Sequence, residues 1–248
     1  MTDQWQFFPC AMGDKEAFIF VDLGVRETIA QAPPLLARIR LSYKAPGPNG
    51  LPTDAEFDAV SALEDSIQEF ADANGCWYVG RVTVAGHRFF HVYTALPESS
   101  WAEFVAELGA ESGYELRLGF RDDPGHQSYL EELYPTSDDW QVISDLGVIE
   151  NLRKHGDDGS QERTVDHWAY FESEAAARPF VEWATGQGFR FEAEHSHKTE
   201  DGQYCVRLTH VGRITLGDIS QHTIPLSRMA AESGGDYDGW ETLVISVN

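Results

Sequence analysis

The chain has 248 residues and a formal net charge of −23, with 42% hydrophobic and 12% aromatic residues. This length is typical of two domains, and the apolar content excludes wholesale disorder. Residues 1–138 hold 9 Lys and Arg against 22 Asp and Glu, and residues 139–248 hold 9 against 19. Nucleic acids and anionic membranes are bound mainly through positive charge, so we expect neither as a direct ligand. A basic protein partner suits this acidity, although solubility alone also explains it.

The three cysteines, Cys10, Cys76 and Cys205, are far apart and form no Cys-x-x-Cys pair. This predicts reduced thiols, with neither a disulfide framework nor a thiolate zinc site. The stretch Met1–Gln6 is polar, which argues against a signal peptide. No apolar run reaches the roughly 18 residues of a membrane helix. We therefore expect a cytoplasmic protein.

Residues 1–135 predict a first domain in which two N-terminal strands precede a strand-helix-strand-strand-helix-strand unit. The predicted strands are Trp5–Pro9, Ala17–Val21, Leu36–Lys44, Trp77–Val84, Arg88–Thr94 and Tyr114–Arg121. One helix follows Asp54, a candidate N-cap, and its apolar stripe consists of Phe57, Val60, Leu63, Ile67 and Phe70. The other begins at Ser100, where Glu103 would complete a capping box. The βαββαβ order is that of the ferredoxin-like fold.

Residues 136–248 repeat this order after a connecting helix that contains Trp140, Ile143, Leu146 and Leu152. The predicted elements are strand Arg163–Phe171, helix Ala175–Thr185, strands Phe189–His195 and Tyr204–Val211, a helix capped by Thr215, and strand Asp238–Val247. Pro179 and Pro225 fall inside the two helices, so these should kink or begin later. The fold class is therefore α+β, with two ferredoxin-like (βαββαβ) α/β sandwich domains in tandem joined by a connecting helix.

Strand alternation in the first domain places five arginines on the sheet face that the helices leave uncovered. They are Arg38, Arg40, Arg81, Arg117 and Arg121. Such a face is suited to an anionic ligand or an acidic peptide. The same arginines would equally serve to dock the acidic second domain or to pair with local carboxylates.

In the second domain, alternation leaves Asp166, Trp168 and Tyr170 on the uncovered face of a central strand. Exposed aromatic residues occur on sheets that bind single-stranded RNA, but few basic residues accompany them here. A protein interface or contact with the first domain suits Trp and Tyr better. Packing beneath the connecting helix is the alternative.

No motif for a catalytic or cofactor site is present in the sequence. It lacks a Gly-rich phosphate loop, a Gly-x-Ser-x-Gly elbow and a His-Glu-x-x-His helix. His195 and His197 share one face of a predicted strand, but two ligands do not make a metal site. The carboxylates are too numerous for any pair to stand out as an acid and base. The sequence therefore predicts no catalytic residue, metal site or cofactor.

Four short motifs in the second half carry a family resemblance. They are Gly156-Asp157, Val165-Asp166-His167-Trp168, Gly188-Phe189 and Gly235-Asp236-Tyr237-Asp238-Gly239-Trp240. In sequence and spacing they resemble the bacterial family of the regulator of ribonuclease E activity B, a protein inhibitor of that RNA-degrading endonuclease. The resemblance implies a ferredoxin-like fold and a protein partner, the partner being a ribonuclease E-type endonuclease.

The closing motif of this resemblance has two interpretations. Gly239 permits a backbone bulge, and Tyr237 and Trp240 supply large amphipathic surfaces. In the functional interpretation, one partner-binding patch is formed by Asp166, His167, Trp168, Tyr237, Asp238, Gly239 and Trp240. In the structural interpretation, the motif is a strand entry with two core aromatics.

The first half is similar to a separate bacterial family of unknown function that is often joined to the inhibitor-like domain. The resemblance is carried by Trp5, Phe8-Pro9-Cys10, Phe20-Val21-Asp22, Tyr78-Val79-Gly80-Arg81, Gly86 and Tyr93. That family implies no activity. The leading hypothesis is a non-enzymatic regulator that binds a protein partner. An anion-binding module that uses the arginine face is the alternative, and an unrecognised hydrolase is a third class.

Overall fold

A computed structural model describes Thr2 and residues 4–246. The chain divides into two compact units, Met1–Pro135 and Thr136–Asn248. Each unit has its own antiparallel sheet with helices packed on it, so the predicted α+β class with two tandem domains is confirmed. Among the described helices, none is both long and apolar enough to cross a bilayer.

The first unit is built on a six-stranded sheet. Its elements are β1 (Trp5–Met12), β2 (Lys15–Asp22), β3 (Leu35–Ser42), α1 (Asp54–Ala73), β4 (Trp77–Val84), β5 (His87–Thr94), α2 (Glu98–Ser112) and β6 (Glu115–Asp122). The sheet order is β1-β2-β4-β5-β3-β6, with every pair antiparallel. The last four strands have the ferredoxin-like order, and the β1–β2 hairpin extends the sheet beyond β4.

Helices α1 and α2 cover one face of this sheet and enclose the main core of the unit. Val60 and Ile67 of α1 and Trp101 of α2 are fully buried. Phe57, predicted in the apolar stripe of α1, is instead 56% exposed. Glu56 lies inward in its place, because its carboxylate accepts backbone N–H groups from the loop after β3.

The opposite face is covered over β2 and β4 by the segment that follows β6. Ser128–Leu133 forms one π-helical turn, in which Tyr129 and Leu133 are fully buried. The Tyr129 hydroxyl donates to the carbonyl oxygen of Asp22 at 2.8 Å. Only the part of this face near β3, β5 and β6 therefore remains open.

The second unit contains a smaller sheet and three helices. Its elements are α3 (Ser137–Lys154), β7 (Arg163–Phe171), α4 (Glu174–Gly186), β8 (Arg190–Phe191), β9 (His197–Lys198), β10 (Tyr204–Gly212), α5 (Leu216–Glu232) and β11 (Asp236–Thr242). The order β11-β7-β10-β8 is again ferredoxin-like, and β9 pairs with β10. The predicted connecting helix, α3, is part of this unit, where Ile149 and Leu152 pack with Val165, Ile219 and Trp240.

Several predicted boundaries differ from the structure. Strand β8 has two residues and is followed by a 3₁₀ turn, and β11 ends at Thr242, while Val247 lies outside the described residues. Helix α2 begins at Glu98 after Pro97, without the capping box predicted at Ser100. Helices α4 and α5 begin before their prolines and run through them, and Ser173 and Thr215 cap their N-termini.

Candidate functional site

Arg81 does not belong to the uncovered face on which the sequence placed it. A β-bulge between Tyr78 and Gly80 shifts the register of β4 and reverses the direction of the side chains that follow. Arg81 therefore points to the helix-covered face, where its Nε donates to both carboxylate oxygens of Glu64 at 2.7 and 2.8 Å. Arg88 donates to the same carboxylate, so Arg81 belongs to a largely buried ion-pair network.

The other four predicted arginines do share the open face of the first sheet. They are Arg38, Arg40, Arg117 and Arg121. Glu115 lies 2.6 Å from Arg117 and 3.4 Å from Arg40. Glu132 lies 3.1 Å from Arg121 and 3.4 Å from Arg38. Local carboxylates thus pair with these arginines, but two carboxylates serve four guanidinium groups.

In the second unit, Asp166 and Trp168 lie on the uncovered sheet face as predicted, and both are half-buried. Arg207 of β10 donates to Asp166 at 2.9 Å and its guanidinium lies 5.3 Å from the Trp168 ring centroid. Gly239 of β11 is opposite Trp168 in register and offers no side chain to cover the indole. Its φ of +134° favours glycine at this position. The indole is thereby fixed on one side and open on the other.

The remaining aromatic members of the predicted patch face the opposite way. A second β-bulge, at Asp238, lets both Tyr237 and Trp240 point beneath the helices, where they are 8% and 6% exposed. His167 alternates with Trp168 along β7 and is 1% exposed. These three residues are therefore core residues, and the predicted patch is corrected to Asp166, Trp168, Asp238 and Gly239.

The indole N–H of Trp240 belongs to a buried network of hydrogen bonds centred on Asp145 of α3. The carboxylate of Asp145 accepts hydrogen bonds from four side chains. The donors are Gln141 (2.9 Å), Ser220 (2.9 Å), Thr223 (2.6 Å) and Trp240 (3.0 Å). Burial raises the pKa of Asp145, while these four hydrogen bonds oppose the rise. Because its four donors belong to α3, α5 and β11, this carboxylate links the two helices to the strand.

A cluster of three histidines lies next to Tyr237 under helix α5. Nδ1 of His167 is 2.7 Å from the Tyr237 hydroxyl, and its Nε2 is 2.7 Å from Nδ1 of His210. The rings of His210 and His222 have centroids 4.1 Å apart. Burial, reinforced by the neighbouring histidines, lowers the pKa of His167 well below its usual range and that of His210 to about 4. All three pKa shifts are downward, so the rings are neutral near pH 7.

The residues that the structure describes include no cluster of metal ligands, and the thiols of Cys76 and Cys205 are buried. Burial raises the pKa of the Cys76 and Cys205 thiols, which opposes thiolate formation. Instead, the structure offers two open sheet faces that differ in charge and in aromatic content.

Sequence reasoning missed Asp145, His210 and Glu241. Gln141, Asp145, Ile149 and Leu152 recur at helical spacing in α3, so polar residues within an apolar stripe were the available signal for the buried network. Glu241 is opposite Asp166 in register and exposed. It was missed because the bulge at Asp238 changes which residues of β11 face outward.

Comparison with known families assigns both halves of the chain. Residues 143–242 match the family described as Regulator of ribonuclease activity B. Residues 3–134 match a family of unknown function, DUF695. No curated protein matches the chain. The order of the two matches is the order that the sequence motifs predicted. The chain therefore belongs to the DUF695 family, and its second half matches the Regulator of ribonuclease activity B family.

Proposed function

We propose that this chain is a non-catalytic regulator that binds and inhibits an RNA-processing endonuclease of the ribonuclease E type. The observation that carries the proposal is the match of residues 143–242 to a family described as a regulator of ribonuclease activity. The regulator acts by occupying a surface of the enzyme. No covalent step is required of its own side chains.

The contact surface in this proposal is the uncovered face of the second sheet. Trp168 is the anchor, because a large amphipathic ring that is partly exposed gains most from being covered by a partner. Gly239 leaves one side of the ring accessible, and the ion pair of Asp166 with Arg207 holds the other side.

Exposed carboxylates border the ring and set the charge of the surface. Asp236, Asp238 and Glu241 are exposed along β11, the strand next to Trp168. They favour a basic segment of the partner and raise the association rate at low salt. The interaction is therefore expected to weaken as ionic strength rises.

The test is the affinity of the purified chain for a purified ribonuclease E-type endonuclease, measured by surface plasmon resonance. Trp168→Ala should weaken binding by about 2 kcal/mol, the loss typical of a central aromatic contact. Glu241→Lys should slow association. Glu182→Lys is the matched control, because it makes the same charge change at an exposed position of helix α4.

Two results would contradict the proposal. If the wild-type chain neither bound the endonuclease nor lowered its cleavage rate at low salt, the proposed partner would be wrong. Equal losses with Glu241→Lys and Glu182→Lys would show an effect of total charge, so the sheet face would not be the contact surface.

A further inference from the structure

A shallow groove of about 170 Å³ crosses the open face of the first sheet. Arg38 and Arg40 of β3, Phe89 of β5, and Arg117 and Gly119 of β6 line it, and we call it the arginine groove. Arg121 continues the row beyond Gly119 on the same strand. We propose that the arginine groove binds the phosphate group of a small phosphomonoester.

The charges on this face are unbalanced. Arg40 and Arg117 are directly opposite each other in register, an arrangement that is destabilising for two like charges. Glu115 contacts both, at 3.4 and 2.6 Å, and Glu132 is shared in the same way by Arg38 and Arg121. Within these ion pairs, two carboxylates face four guanidinium groups, an excess of two positive charges on a chain whose net charge is −23.

Part of the hydrogen-bonding capacity of these arginines is also unused. Among the described residues, the Nε atoms of Arg38 and Arg40 are buried and have no hydrogen-bond acceptor. The 3.4 Å ion pairs of these two arginines are longer than the 2.7–2.9 Å of a well-formed charged hydrogen bond. The Arg38 guanidinium lies 4.7 Å from the Phe89 ring centroid, which orients the group.

Gly119 provides the space. It is opposite Arg38 in register, and its backbone is not in the left-handed region that favours glycine. A Cβ there would lie 3.6 Å from the Arg38 carbonyl oxygen, an ordinary contact. Because neither backbone conformation nor crowding demands glycine, its effect is to leave the centre of the groove open between the arginines.

The ligand class follows from charge and geometry. A phosphomonoester carries about −1.5 to −2 charges at neutral pH and three acceptor oxygens, which matches two unbalanced positive charges. Planar guanidinium groups bind phosphate through paired hydrogen bonds. A carboxylate would neutralise only one of the two charges. The shallow shape accommodates the phosphate and a few further atoms, and leaves the rest of the ligand in solvent.

The test is isothermal titration calorimetry of the full chain with phenyl phosphate, with benzoate as the monoanionic comparison. Phenyl phosphate should bind about tenfold more tightly than benzoate, because it carries the second charge. Arg117→Gln should weaken phenyl phosphate binding by about tenfold. Gly119→Val should do the same by filling the groove without changing charge. Arg178→Gln removes an exposed arginine of helix α4 and should leave the affinity unchanged within about twofold.

Absence of saturable phenyl phosphate binding to the wild-type chain would overturn the assignment. So would benzoate binding of equal strength, or an equal loss with Arg117→Gln and Arg178→Gln. If Gly119→Val does not fold, Arg117→Gln with its control decides the question. The assignment is independent of the proposed ribonuclease contact, because it concerns the other unit and a different ligand.

Discussion

The indole Nε1 of Trp240 donates a hydrogen bond to Oδ1 of Asp145 at 3.0 Å, and both side chains are buried. Trp240 belongs to β11 and Asp145 to α3, so the bond joins the last strand of the unit to its first helix. Ser220 and Thr223 of α5 donate to the other carboxylate oxygen. The helix that precedes the βαββαβ segment is thereby held to both its final strand and its final helix.

Asp145→Ala should lower the free energy of unfolding by about 3 kcal/mol, because four donors, three of them buried, would lose their acceptor. Asp145→Asn should cost less than Asp145→Ala. The Asn amide nitrogen can face the hydroxyls of Ser220 and Thr223, which are able to rotate and accept. Urea unfolding of the three chains measures the difference. Equal destabilisation by the two substitutions would contradict this prediction, because Asn keeps the volume of the side chain and an oxygen that can accept from Gln141 and Trp240.

The lowered pKa of Asp157 predicts that the folded protein loses stability in acid. Hydrogen bonds from Arg163 lower the pKa of Asp157 to about 2, and the N–H groups of Gly159 and Ile245 contribute. The folded pKa lies below the unfolded one, so the stabilisation is present above the ordinary Asp pKa of about 4 and is lost as the pH falls to about 2. Asp157→Asn should be destabilised near neutral pH, and its difference from wild type should shrink over this pH range in urea unfolding. A difference independent of pH would contradict the assignment.

The histidine cluster predicts a second loss of stability on acidification, which begins at a higher pH than that of Asp157. Burial lowers the pKa of His210 from 6.5 to about 4, so the unfolded chain takes up a proton before the folded chain does. Stability should therefore decline as the pH falls from about 6.5 toward 4. His210→Gln should reduce this decline, whereas His197→Gln, at an exposed position, should not. Unfolding free energies measured at intervals across this range provide the comparison, and identical slopes for wild type and His210→Gln would refute the prediction.

The ion pairs of Glu64 with Arg81 and Arg88 predict a large loss of stability when the Glu64 side chain is removed. Its carboxylate accepts from Arg81, Arg88 and the hydroxyl of Tyr78, the last at 2.7 Å. Glu64→Ala would leave two largely buried guanidinium groups without their shared acceptor, which should cost about 3 to 5 kcal/mol. Glu69→Ala, on the same helix at a solvent-exposed position, is the control and should change stability by less than about 0.5 kcal/mol. Thermal and urea unfolding distinguish the two outcomes.

The order of strands and helices in both units could be predicted from the sequence, because apolar periodicity and turn residues mark each element. Facing direction was predicted correctly where strands are regular: Arg38 and Arg40 on β3, and Asp166 and Trp168 on β7, lie on the open faces. The direction was wrong for Arg81, and of the two interpretations of the closing motif the structure supports the one in which Tyr237 is a core residue. Each is in a strand with a β-bulge, and one inserted residue reverses the alternation.

The bulges and the polar core depend on contacts that a local pattern does not contain. Gly80 lies at the first bulge, where a side chain would collide with the backbone of Phe20 on the neighbouring strand. Asp145 is buried because its four donors come together from α3, α5 and β11. A glycine within an otherwise regular strand is a usable signal for a bulge, but strand pairing decides which residues change sides.

The β1–β2 hairpin has a consequence for how the first unit meets other molecules. A βαββαβ unit alone would end at β4, a strand rich in apolar residues whose backbone could accept a foreign strand. The hairpin occupies that position and makes β1 the edge strand of the sheet. Pro9 of β1 has no N–H to donate to a further strand. At the other edge of the sheet, strand β6 alternates charged side chains with apolar ones. Recruitment of a partner by sheet extension is therefore disfavoured at both edges, which leaves the open part of the sheet face near β3, β5 and β6 for recognition.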